Sequence, residues 1–238
     1  MENYSTVLLY GGIAAIALLT GGIVSIIKQP NAQVRSAILH FAAGVIFSVV
    51  SVELLPDIMA KHDALEIATG FGAGVLLMLA IRYFLEPKKE EENMLGFPTA
   101  FIVVIAVDLI IDGVLMGIGF VTSQETGVFL AIALSIELLS LGMATSIILG
   151  NAKLNPKMNI LTIIGLCAMV LGSTLLSAAL LGGVSSGVLE VILAFGLAAL
   201  LFLVTEELLV DAHESKQNPW LTAAFFSGFL LFMLLPGG

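Results

Sequence analysis

The stretch VIAVDLIIDGVLMGIG, residues 104–119, carries two carboxylates, Asp108 and Asp112, inside an otherwise apolar run. A spacing of four residues puts both on one face of a helix. Glu137 stands at a comparable place in the next apolar run. All three acids are therefore expected near the middle of a membrane. A charged Asp at a span centre costs about 2.5–3.5 kcal/mol on insertion scales, and every Lys and Arg of the chain falls at the edge of a run. What compensates must be a proton, water or a bound cation. Acidic oxygens without imidazole or thiolate suit hard or borderline divalent cations. A cation site formed by Asp108, Asp112 and Glu137 is the expectation. The structural alternative is three protonated carboxyls, each hydrogen-bonded to a neighbouring helix.

The rest of the chain is built to hold such acids in lipid. Of its 238 residues, 59% are hydrophobic and 11% charged, whereas a water-soluble domain carries roughly 25% charged residues. Apolar runs of 18 or more residues read as membrane spans. Eight are expected, at about 5–27, 34–59, 65–85, 98–121, 126–150, 159–182, 186–212 and 219–236. They leave room for one transmembrane domain over residues 1–238, with a short loop at 86–97. The segments TSQETG and GGVSSG read as tight turns. The first run has no basic residues before it and is too long for a signal-peptide core, so it reads as a retained span. The single cysteine, Cys167, allows no intramolecular disulfide. A net charge of −9 argues against a nucleic-acid partner.

Orientation follows from the basic residues. Lys28, Arg35, Arg82, Lys88, Lys89, Lys153, Lys157 and Lys216 fall on one side and Lys61 alone on the other. The first group marks the cytoplasm, so both termini are expected outside a cell membrane such as the bacterial inner membrane.

An internal repeat adds to this. FAAGVIFSVVSVELLPD in the second run and FGLAALLFLVTEELLVD in the seventh align without a gap. Phe41 matches Phe195, Glu53 matches Glu207, and Asp57 matches Asp211. By the orientation above the two segments run in opposite directions. Inverted repeats around a midplane site are a transporter pattern. The expected fold is an all-α integral membrane protein of eight helices, helices 1–3 inverted against 6–8 and helix 4 against 5.

Other polar residues sit nearer the span ends. Glu53 on the outer side, and Glu206, Glu207 and Asp211 on the inner side, read as acidic vestibules along an ion path. The bland reading, ordinary solvated ends, suits Asp57, Asp211 and His213 better. His40 reads as interfacial, with a ligand role as the rival reading, and Glu190 as surface. Met116, Met143 and Met169 read as packing, with soft metal ligation as the rival reading. Gly113, Gly117, Ser135, Ser140, Gly142 and Gly172 are small residues that let helices approach the acids closely. No nucleophile, phosphate loop or cofactor motif is present, so neither an enzyme nor an ATP-driven pump is expected.

With these residues in view, the chain resembles the ZIP family of divalent-metal transporters over its whole length. Eight spans, outside termini, a cytoplasmic loop after span 3 and the FAAGV…ELLP segment carry the likeness. In that family span 4 holds His-Asn-x-Pro-(Asp/Glu)-Gly. Here DLIIDG sets Asp108 on the histidine, Leu109 on the asparagine and Ile111 on the proline, while Asp112 and Gly113 match. In span 5, ELLSLG sets Glu137 on the first ligand and Leu141 on a later one, and Gly142 is kept. Met169 falls where a span 6 glutamate serves a second metal. The resemblance implies inward transport of a divalent cation (Zn²⁺, Mn²⁺ or Fe²⁺). The departures imply a mononuclear, all-oxygen site, which shifts preference from zinc towards Mn²⁺ or Fe²⁺. The lost prolines put the family's local helix break in doubt. Rival readings are a proton relay for another substrate, or a non-transporting structural or sensing relative. A monomer or homodimer fits the apolar faces equally.

Overall fold

A computed structural model of the chain describes residues 2–61, 63–85, 97–216 and 218–235. The expected loop at 86–97, with Lys88 and Lys89, lies outside the described residues except for Phe97. All regular elements among the described residues are helical. Seven helices are long and apolar enough to cross a membrane: α1 Tyr4–Ile27, α2 Ala32–Ala60, α3 Ala64–Phe84, α4 Phe101–Thr122, α5 Gln124–Asn151, α6 Pro156–Leu181 and α7 Gly187–His213. The eighth apolar segment forms a shorter helix, α8 Pro219–Met233. The architecture is that of a multi-pass membrane protein. In hydrocarbon every backbone group must be satisfied within the segment, which long helices achieve.

Short polar residues start these helices. The side chains of Asn31, Ser123, Asn155 and Asn218 accept from backbone N–H groups of the first turns of α2, α5, α6 and α8. Pro156 and Pro219 occupy first-turn positions, where a missing N–H costs nothing. The expected turn TSQETG shrinks to one extended residue, Ser123 (φ −154°, ψ 155°), between α4 and α5. Its hydroxyl caps Thr126 N–H, so the helix restarts at once.

Helix α5 is the centre of the bundle, with 67% of its apolar window buried, against 17% for α3 at the periphery. Within a membrane, packing rests on close van der Waals approach at small residues. A side-chain carbon at Gly142 would strike the Leu18 carbonyl of α1, and one at Gly21 the Leu139 carbonyl of α5. Gly113 and Gly117 of α4 lie likewise against Val170, Ser173, Thr174 and Ser177 of α6. Gly228 of α8 meets the Phe41 carbonyl of α2, and Gly74 of α3 meets the Phe195 carbonyl of α7. The main packing partners are thus α1 with α5, α4 with α6, α2 with α8 and α3 with α7. Gly172 does not follow the expectation, since no atom lies near its missing side chain and it faces open space.

Helices α2 and α7 each contain a π-helical turn, Val50–Leu54 and Leu203–Leu208. Leu55 N–H bonds the Val50 carbonyl, and Leu209 N–H bonds the Val204 carbonyl. Within each turn a hydroxyl reaches back four residues: Ser51 Oγ donates to the Phe47 carbonyl at 2.8 Å and Thr205 Oγ1 to the Leu201 carbonyl at 2.8 Å. Such back-bonding bends a helix, and π-turns are enriched at functional sites. Glu53 lies in the first turn, Glu206 and Glu207 in the second.

Candidate functional site

Ser123 makes α4 and α5 an antiparallel hairpin, and this connection sets the heights of the acids. Asp112 lies about 17 Å and Asp108 about 22 Å below it along α4, and Glu137 about 21 Å below it along α5, at 1.5 Å rise per residue. Glu137 therefore falls between the two aspartates in depth. The structure brings one carboxylate oxygen of each to within 4.8 Å of the others. Asp112 and Glu137 are each 2% exposed, while Asp108 is half-buried. Oxygens bound to one ion at about 2.0–2.6 Å lie no more than about 5 Å apart, so the spacing suits a single cation.

The hydrogen-bonding state of the group points the same way. Asp112 Oδ2 and Glu137 Oε2 are buried without a hydrogen-bond partner. Leaving such an acceptor unpaired costs about 1–3 kcal/mol or more when it is charged. Neither ion pair found among the described residues, Arg35–Asp211 or Arg82–Glu206, involves the three acids. Buried Ser140, one turn after Glu137 on the same face, also has an unpartnered hydroxyl and could serve as a further oxygen donor. A carboxylate trio with two orphaned oxygens, and with no basic partner among the described residues, attracts positive charge. Leu109, Leu134 and Leu138, all fully buried beside the acids in sequence, keep the local medium apolar.

The helices around the trio are continuous. Helix α4 runs unbroken from Thr99 to Thr122 and α5 from Gln124 to Asn151. The local break in doubt after loss of the prolines does not occur in either helix. Met116 and Met143 are buried, whereas Met169 is 38% exposed.

The remaining acids occupy distinct places. Glu207 is near enough for its charge to act on Asp112 and Glu137. Glu53 lies instead by Glu125 and Asp57, and its Oε1 is buried without a hydrogen bond. Glu206 pairs with Arg82 at the end of α3. Asp211 pairs with Arg35 at 3.3 Å, so it is not simply a solvated helix end. His40 is 3% exposed and packs against His213 near the end of the bundle. One expectation is corrected. Glu190 is 9% exposed, not a surface residue, because α3 lies along α7 and brings the Glu66 side chain to it. In both cases a long-range helix contact covers a residue that its place near a span end would expose.

Sequence reasoning did not find the π-turns or the two arginine pairs. The signal for the turns was present as Ser51 and Thr205 at matching places in the two aligned segments. No protein-family model matches the chain, and no curated protein matches it.

Proposed function

We propose that this protein is a ZIP-like transporter that carries a divalent cation into the cytoplasm through the carboxylate trio. The observation that carries the reading is the convergence of Asp108, Asp112 and Glu137 within 4.8 Å, with two buried oxygens that nothing else satisfies. The cation is cargo. It enters past Glu53, exchanges its water for the three carboxylates, and leaves past Glu207. Three carboxylates around one dication leave a net charge of −1, so a proton held by one of them balances the site while it is in lipid. Oxygen donors favour Mn²⁺ or Fe²⁺ over Zn²⁺.

Alternating access in this reading rests on eight crossings built as inverted copies. Several repeated features support it. Phe41 and Phe195, aligned in the sequence, each offer a carbonyl to a glycine of a partner helix. The π-turn bonds and the hydroxyl bonds of Ser51 and Thr205 recur at the same alignment. Exchanging helices 1–3 with 6–8 and 4 with 5 turns the α1–α5 contact into α6–α4, and α2–α8 into α7–α3. The exposed aromatics Tyr83 and Trp220, at the ends of α3 and α8 expected inside, suit a membrane interface.

The test is Mn²⁺ uptake into proteoliposomes holding the full chain. Asp108→Asn and Glu137→Gln should each lower uptake at least tenfold while the protein still elutes as a single folded species. Uptake at the unsubstituted rate in both variants would discard the transport site. Proton flux that needs no metal and is lost in the same variants would assign the acids to a proton relay instead.

A further inference from the structure

Two of the chain's three histidines meet at the end of the bundle away from Lys61. His40, early in α2, and His213, the last residue of α7, place their ring centroids 5.2 Å apart at an interplanar angle of 56°. Both rings are held in the same way. His40 Nδ1 lies 2.8 Å from the Ser36 carbonyl, and His213 Nδ1 bonds the Leu209 carbonyl. A carbonyl only accepts, so each Nδ1 carries the proton. In a neutral imidazole this leaves Nε2 as a lone pair. Metal-bound histidines are arranged in this manner, the second nitrogen donating to a carbonyl that fixes tautomer and ring plane.

The surroundings make the pair a fixed one. Ser36 Oγ donates to the Ala212 carbonyl at 2.7 Å, tying the start of α2 to the end of α7. Arg35 and Asp211 pair across the same junction at 3.3 Å, so the charge of this arginine is matched by an anion. His40 is 3% exposed and locked by packing, while exposed His213 opens to water beside Glu214. The separation is also quantitative. Two imidazoles bound through Nε2 at about 2.0–2.1 Å to one ion hold their ring centroids about 4.5 Å apart at a tetragonal angle and about 5.2 Å apart at a tetrahedral one, a range that includes the observed separation.

We propose that His40 and His213 form a second divalent-cation site, completed by water, at the expected cytoplasmic end. Its donors are imidazole, so it selects ions such as Cu²⁺, Ni²⁺ or Zn²⁺, in contrast to the oxygen-only trio. The site does not depend on the transport reading. It is tested in the full chain carrying Asp112→Asn and Glu137→Gln, which removes central binding from the measurement. Cu²⁺ is the probe, added at one equivalent, and pulsed electron paramagnetic resonance counts bound imidazoles through their remote nitrogens. The expected spectrum shows two imidazoles. His213→Gln, at an exposed position where folding is not at stake, should leave one at most and weaken Cu²⁺ binding at least tenfold. His62→Gln, which replaces the remaining histidine of the sequence, should change neither. One imidazole or none before substitution, or an unaltered spectrum in His213→Gln, overturns the proposal and leaves the pair a ring contact only.

Discussion

Replacing Asp112 by Asn keeps the shape of the site and removes one charge, which makes it the most informative single change. Two unit charges 4.8 Å apart, the outer limit for the trio's ligand oxygens, repel by about 3.5 kcal/mol at an effective dielectric constant near 20. The unsubstituted trio contains three such repulsions when fully ionised, and protons or a cation must relieve them. In Asp112→Asn only the Asp108–Glu137 repulsion persists, so the metal-free protein should be at least as stable as the parent. Stabilisation by metal should move the other way. At a free Mn²⁺ concentration 100 times the parent Kd, binding stabilises the folded state by about 2.7 kcal/mol. Loss of a direct ligand that weakens affinity 100-fold leaves about 0.4 kcal/mol at the same concentration. On the scaling for chains of this length, the gain in Tm falls from about 5–10 °C to about 1 °C. Thermal unfolding in detergent, with MnCl2 or with chelator, measures both quantities. A variant that keeps the parent's full Mn²⁺-dependent rise in Tm would refute the argument that Asp112 is a ligand.

Two further outcomes follow from the geometry. Gly142→Ala drives a methyl group into the Leu18 carbonyl, and should lower stability by about 1–3 kcal/mol; Gly172→Ala, which meets no atom, should be neutral or gain up to about 1 kcal/mol from helix propensity. Equal loss in both variants, read by thermal unfolding, would contradict the close-packing account of α1 and α5. Glu207→Gln should slow Mn²⁺ uptake at least threefold while leaving the Mn²⁺-dependent rise in Tm near the parent value, because Glu207 acts on Asp112 and Glu137 by charge without belonging to the trio; complete loss of that rise would make it a ligand.

Much of the architecture is legible in the sequence because lipid imposes a simple rule. A segment that must satisfy its own backbone and face hydrocarbon becomes a long apolar helix, and the seven long helices lie within a few residues of the apolar runs. The caps at Asn31, Ser123, Asn155 and Asn218 are likewise local, each a side chain meeting an N–H two or three residues on. The shared face of Asp108 and Asp112 comes from helical periodicity alone.

Tertiary structure decided everything that depends on which helix lies beside which. The meeting of Glu137 with the two aspartates requires the hairpin at Ser123 and close approach of α6 and α1 at Gly113 and Gly142. Arg82 with Glu206 and His40 with His213 join residues more than a hundred positions apart, and nothing in either local segment names its partner. Local residues determine backbone bonding and depth in the membrane. Lateral neighbours are chosen by packing among helices that are all equally apolar, so charge and hydropathy read along the chain leave those pairings open.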